Sequence, residues 1–201
     1  MIAVERKALA GDLGSLTDAQ WQTASLCDGW TVRDLLGHMT ATAEMTPGAF
    51  VGKIIGSGFS FDKLQKKDIA KQNEGSPADT LARFEASVDS TKHPPGPVDS
   101  WLGEVVLHAE DIRRPLGIKH AYPPAAVTRV LDFYRKSNLV VGGKKRAAGL
   151  TLRATDADWS AGTGPEAVGP AIALALAVTG RAAALADLSG DGVATLQGRM
   201  G

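Results

Sequence analysis

The stretch SLCDGWTVRDLLGHM, residues 25–39, carries the pattern that decides the fold of this chain. Thr31 is a favourable helix N-cap, and Asp34 follows three residues later, where an acidic side chain stabilises the first turn. The inward stripe of the helix that follows consists of Leu35, Met39 and Thr42. This spacing predicts a helix over residues 31–45 with one face buried against other helices.

The rest of the first two thirds shows the same helical character. Ser76 and Pro77 form a second start signal, a capping serine followed by proline at the first helical position. The other predicted helices are residues 2–13, a segment from Ser76, residues 100–114, and a long helix from about Pro124. We therefore expect a mainly α protein with a four-helix bundle in residues 1–142.

The pattern changes after Gly142. Residues 150–155 alternate as a β-strand does, and Pro170 opens an alanine-rich helix that ends near Gly180. A short helix and a terminal strand near Val193–Leu196 are predicted to follow. Residues 150–201 therefore form a small α+β C-terminal domain in this interpretation.

A glycine-containing and then lysine-rich linker spans residues 46–75. Its lysine-rich run consists of Lys63, Lys66, Lys67 and Lys71. Two interpretations remain open, a solvated helix flank or a flexible lip over a pocket.

Composition excludes several classes of function. Among 201 residues, 22 are Lys or Arg and 22 are Asp or Glu, so the formal net charge is zero. This balance argues against a nucleic-acid-binding surface and gives no sign of attraction to anionic lipid. Cys27 is the only cysteine, Glu5 interrupts any signal-like N-terminal stretch, and the apolar run at 171–178 is too short to span a membrane. We expect a cytoplasmic protein with no membrane or nucleic-acid partner.

Three residues stand out as candidate metal ligands. Glu104 and His108 stand four residues apart on one predicted helix, so their side chains project from the same face. His38 lies near the inward stripe of another helix. Two imidazoles and one carboxylate suit zinc and leave a fourth position open. The alternative is an exposed Glu–His pair and a hydrogen-bonded core histidine.

Several signatures resemble the mycothiol-dependent maleylpyruvate isomerase family, which belongs to the wider DinB-like metal-binding bundles. The first is residues 25–39, and the second is residues 104–117, EVVLHAEDIRRPLG. The remaining matches are residues 156–159, 162–165, 179–181 and 188–192. In this order they cover most of the chain except residues 46–75.

The resemblance implies a ligand set and a chemistry. It assigns His38, Glu104 and His108 to a divalent ion, with zinc expected, and it names mycothiol as co-substrate. Arg181 is the candidate catalytic residue, with an ordinary surface or C-capping arginine as the alternative. Arg114 is the candidate cofactor-binding residue, and either arginine is available to neutralise a substrate carboxylate.

Other polar residues near these signatures have weaker assignments. Cys27 is expected to be a small residue at a turn, because the family's reactive thiol comes from outside; the alternative is a nucleophile. Asp111 is expected either to accept the second N–H of His108 or to pair with a nearby arginine. His93 and His120 are expected to be solvated loop residues.

The functional hypothesis is a thiol-using enzyme, an S-transferase or isomerase acting on a small electrophile. The alternative is a non-catalytic metal-binding or regulatory module of the same fold, as a monomer or homodimer. Family likeness does not identify the substrate.

Overall fold

The computed structural model describes residues 1–139 and 141–200, and the chain divides into two compact units, Met1–His120 and Ala121–Gly201. The first unit is helical in its described elements. These are α1 (Ile2–Leu13), α2 (Asp18–Trp21), α3 (Val32–Glu44), α4 (Pro47–Gly56), α5 (Phe61–Gln72), α6 (Pro77–Ala86) and α7 (Val98–Arg113).

Four of these helices form the expected bundle. Helix α1 packs against α6 and α7, and α3 packs against the same two helices, so the four surround one core. The core residues are Leu9, Ala10, Leu13, Trp21, Val32, Leu35, Leu36, Met39, Phe84, Val105, Ala109 and Ile112. The mainly α, DinB-like fold expected from the sequence is confirmed.

The start of α3 follows the sequence prediction closely. The Thr31 hydroxyl accepts a hydrogen bond from the backbone N–H of Asp34, and the Asp34 carboxylate accepts one from the backbone N–H of Thr31. These two reciprocal hydrogen bonds form a capping box, which satisfies backbone N–H groups that have no partner inside the helix.

The linker of residues 46–75 is largely helical. It forms α4 and α5, and α5 packs against α3 through buried Leu64, Ile69 and Gln72. The four lysines of the lysine-rich run are exposed, as the solvated-flank interpretation predicts.

The second unit combines helices with a small sheet. Its helices are α8 (Pro124–Tyr134), α9 (Gly143–Ala147), α10 (Ala171–Val178) and α11 (Gly192–Gln197), with a 3₁₀ turn at Ala182–Asp187. Its strands are β1 (Thr151–Ala154), β2 (Ser160–Gly162) and β3 (Glu166–Gly169). The sheet order is β2-β1-β3, with β1 antiparallel to β2 and parallel to β3.

The predicted terminal strand at Val193–Leu196 is wrong, because these residues lie in α11. Ser189 already exchanges both backbone hydrogen bonds with Val168 of β3, so this part of the strand edge is occupied before residue 193. The chain then turns at Gly190, where φ is +96°, and α11 buries Leu196 against the unit.

The long helix α8 packs against α10 and is therefore described with the second unit. The sequence-based division into residues 1–142 and 150–201 stays a prediction. In the described part of the chain, no helix is long and apolar enough to cross a membrane.

The prediction of a solvated His120 is also wrong. Its Nε2 lies 2.9 Å from Oε2 of Glu5, whose side chain is 2% exposed. A buried carboxylate needs a partner, and the histidine supplies one. His93 is half-buried, and its ring stacks on Trp101 with a centroid separation of 5.8 Å.

Candidate metal centre

His38 projects from the second turn of α3, beside the loop that precedes the helix. The ring of Trp30 lies 4.9 Å from the His38 ring, between centroids, and limits its orientation. On a neighbouring face of α3, Gly37 meets the end of α5 so closely that an added Cβ would lie 2.7 Å from Oδ1 of Asn73. Glycine at this position therefore permits the close approach of α5 to the helix that carries His38.

Helix α7 supplies the other two candidate ligands. Oε1 of Glu104 lies 3.9 Å from Nε2 of His38, and the His38 and His108 rings meet edge to face at 5.4 Å. One ligand atom from each of the three residues lies within 4.8 Å of the others. The fold thus brings His38 together with Glu104 and His108, the set expected from the sequence.

The Glu104 carboxylate is buried in an unusual state. Neither of its oxygens has a hydrogen-bond partner among the residues described. Burial raises the pKa of this carboxyl, opposed by the positive charges of His108 and Arg6 and by the nearby Thr42 hydroxyl. A buried carboxylate without a well-formed hydrogen bond is costly, so a cation at this point would satisfy it.

The two imidazoles differ in their surroundings. Burial, and then the neighbouring His108, lower the pKa of His38 well below its ordinary value, so that ring is neutral and its lone pair is available. Burial also acts to lower the pKa of His108, but hydrogen bonds with Asp111 and Cys27 and the negative charge of Asp111 raise it overall. The site therefore favours a positive charge at His108.

Asp111 fixes the orientation of His108. Its Oδ2 lies 2.9 Å from His108 Nδ1, and the carboxylate is fully buried. With Nδ1 donating to a carboxylate, Nε2 is the imidazole nitrogen that can bind an ion. Of the two roles expected for Asp111, the structure therefore shows the contact to His108.

The donor set fits a divalent ion. One neutral imidazole, one imidazole oriented by a carboxylate and one buried carboxylate without hydrogen bonds are typical ligands of zinc and related ions. A dication would replace the proton favoured at His108 and would neutralise Glu104.

Cys27 lies closer to this cluster than the sequence indicates. Its Sγ lies 3.3 Å from Oδ2 of Asp111 and 3.6 Å from Nδ1 of His108. The loop is held there because the backbone N–H of Leu26 donates to the carbonyl of Asp111. No local sequence signal pointed to this contact, since 81 residues separate Cys27 from His108. Cys27 contacts the Nδ1 edge of the ring, away from Nε2.

The two candidate arginines have partners of their own. Nε of Arg114 donates to Oε1 of Glu110 at 2.9 Å, one turn earlier on the same helix. Arg181 lies in the second unit, where Nη1 donates to the carbonyl of Thr179 at 3.2 Å. Their functional roles stay predictions.

Comparison with known families identifies the first unit. Residues 2–111 match the family described as the mycothiol maleylpyruvate isomerase N-terminal domain. The chain belongs to this family. The match contains all three candidate ligands and Asp111.

Two solved structures share the fold of this family member. A histidine-to-alanine mutant of the mycothiol-dependent maleylpyruvate isomerase is similar with a TM-score of 0.62 and 16% identity, covering 94% of this chain and 90% of that one. A second structure of the mycothiol-dependent maleylpyruvate isomerase gives a TM-score of 0.57 and 13% identity over the same shares. No protein with a curated description matches the chain.

Proposed function

We propose that the protein is a metal-dependent, thiol-using enzyme, with mycothiol as the thiol and a small electrophile as the substrate. The observation that carries the proposal is Glu104, a buried carboxylate without hydrogen bonds placed between two imidazoles. Family membership supports the identity of the thiol.

In this proposal His38, Glu104 and His108 hold one divalent ion, with zinc preferred for its affinity for two imidazoles and a carboxylate. When bound, such an ion supplies an open position with net positive charge, which favours the thiolate form of an added thiol. The cytoplasmic location stays a prediction from the sequence.

Residues around the proposed ligands fix the orientation of the two histidine rings. Asp111 holds the His108 ring with Nε2 directed away from the carboxylate, so the imidazole stays in one tautomer. Trp30 packs against His38 and restricts rotation of its ring. Arg114 and Arg181 are proposed to neutralise a substrate carboxylate, because a guanidinium donates charge-assisted hydrogen bonds to carboxylates.

The proposed reaction is addition of the external thiol to an electrophilic carbon. A new carbon–sulfur bond forms, and the adjacent carbon takes up a proton. A transferase stops at this adduct. An isomerase of a conjugated double bond would rotate about the resulting single bond and then eliminate the thiol unchanged.

The decisive experiment measures metal content and thiol consumption on the same purified samples. The wild-type protein is expected to carry about one divalent ion per chain and to consume thiol in the presence of an electrophile panel. His38→Ala and His108→Ala are expected to lose both properties. His93→Ala is the matched control, because His93 lies outside the ligand cluster and is expected to keep both.

Titration with the thiol separates catalysis from simple metal binding. If the metal-loaded and metal-free proteins bind mycothiol equally, the ion has no part in thiol binding and the enzyme proposal fails. If metal binds and thiol is never consumed with any electrophile, the non-catalytic module is the better description.

A further inference from the structure

An apolar stripe lies exposed on α4 and the turn that follows it. Val51, Ile55 and Phe59 recur at four-residue spacing, and they are 52%, 56% and 78% exposed. Phe61, at the start of α5, is 48% exposed. Every residue of α4 is exposed or half-buried, so the helix contributes little to the core. Contiguous exposed apolar side chains of this kind mark an interaction surface.

Phe59 occupies a backbone conformation that does not suit it. Its φ is +59°, and the preceding Gly58 is also left-handed at +64°. Left-handed backbone favours glycine and is unfavourable for an aromatic residue. The chain therefore holds a large apolar ring in solvent at a strained position where glycine would fold more easily, which indicates a use for the ring outside the fold.

The segment that carries these apolar side chains is also rich in lysine. Between residues 47 and 72 the chain has five lysines, two aspartates and no arginine or glutamate. Asp62 pairs with Lys66, and Asp68 pairs with Lys53. Lys63, Lys67 and Lys71 remain as excess positive charge, although the whole chain has a net charge of zero. The chain as a whole has zero net charge, but this segment is basic.

We propose that the tip formed by residues 51–67 binds an anionic lipid surface, with Phe59 and Ile55 inserted at the headgroup boundary. Apolar side chains next to lysines are typical of segments that lie in this interface, where lysine stems extend over apolar surface and the ammonium groups reach the headgroups. A second copy of the chain fits less well. A symmetric contact would place the same lysine-rich segment of both copies together.

Co-sedimentation with vesicles tests the proposal on the full chain. Vesicles of phosphatidylcholine and phosphatidylglycerol in equal parts are expected to bind the protein, and vesicles of phosphatidylcholine alone are not. Phe59→Gly is expected to weaken binding about tenfold or more, since it removes the inserted ring. Lys63→Gln is expected to weaken binding about fivefold, with the loss growing at low salt.

The Phe59→Gly variant also controls for folding, because it relieves the left-handed strain and is expected to melt no lower than the wild type. Val4→Ser is the matched control elsewhere, since Val4 is 63% exposed on α1 and is expected to leave binding unchanged. Absence of binding, or equal binding to both vesicle types, overturns the proposal. Concentration-dependent self-association that Phe59→Gly abolishes, without vesicle binding, overturns it in favour of a second copy.

Discussion

The Asp111 carboxylate and the His108 imidazole form a 2.9 Å contact one turn apart on α7, with the carboxylate fully buried. The same oxygen, Oδ2, also accepts from the thiol of Cys27. Two side chains therefore converge on a single carboxylate oxygen that determines how His108 presents its other nitrogen. The contact links the loop before α3 to the proposed ligand set on α7.

Asp111→Ala is expected to weaken metal binding by about tenfold to a hundredfold, the usual cost of losing such an orienting carboxylate. Without it, the His108 ring can rotate and change tautomer. Competition with a chelator of known affinity measures the change. Asp111→Asn keeps an acceptor for the Nδ1 proton, so it is expected to lose less. Equal affinity in wild type and Asp111→Ala would show that the contact does not orient a ligand.

Cys27→Ser is expected to leave metal content and thiol-dependent activity within about twofold of wild type, because a hydroxyl still donates to Asp111. Cys27→Ala removes that donor and is expected to cost about 1 kcal/mol of unfolding free energy. Denaturant unfolding and thiol consumption are measured on both. A folded, metal-loaded Cys27→Ser protein without activity would make the cysteine a participant in the reaction.

The sequence predicts the parts of the site that depend on local spacing. Thr31 and Asp34 define the start of α3, and the four-residue spacing of Glu104 and His108 places both on one face of α7. The position of His38 near the inward stripe of α3 makes it a candidate as well, and the family resemblance assigns all three residues to one ion. The orphaned state of the Glu104 oxygens depends on packing from several helices, which no local pattern encodes.

Where sequence reasoning failed, distant parts of the chain determined the outcome. His120 was expected in solvent, but Glu5 lies 115 residues earlier in the chain and is its partner. A strand was expected near Val193–Leu196, yet the β3 edge is bonded to Ser189, and a helix forms instead. Both predictions failed because the deciding contacts join residues that are distant in sequence and meet only in the folded unit.

Gly37→Ala is expected to destabilise the protein by about 1–3 kcal/mol, because the new methyl group displaces Asn73. The Asn73 amide donates to Asp34 at 2.9 Å, so the displacement also disturbs the start of α3. Gly11→Ala is the matched control. It lies in α1 with open space around it and is expected to stabilise the helix by about 0.5–1 kcal/mol. Thermal unfolding of both variants decides whether the close approach at Gly37 is required.

Arg181→Ala is expected to raise KM for an electrophile that carries a carboxylate and to leave KM for an uncharged electrophile unchanged. The physical reason is the loss of a charge-assisted hydrogen bond that only the carboxylate accepts. Arg153→Ala provides a control, since Arg153 is already paired with Glu166 on the sheet. Equal changes for both electrophiles would assign Arg181 to the structure of its own unit, where it contacts the Thr179 carbonyl.

Glu104→Gln is expected to distinguish the effect of Glu104 on folding stability from its role as a metal ligand. In the metal-free protein the carboxylate is buried without a well-formed hydrogen bond and its pKa is raised by that burial, so removing its charge is expected to stabilise the fold by about 1–2 kcal/mol. Glu110→Gln, on the same helix, removes a carboxylate that pairs with Arg114 at 2.9 Å and is expected to lower stability instead.

Added zinc is expected to raise the melting temperature of wild type, because an ion that binds only the folded state stabilises it, and to have little effect on Glu104→Gln. Melting curves with and without zinc measure all three proteins. A metal-free Glu104→Gln protein that melts well below wild type would mean that Glu104 serves the fold, and its assignment as a ligand would lose its main support.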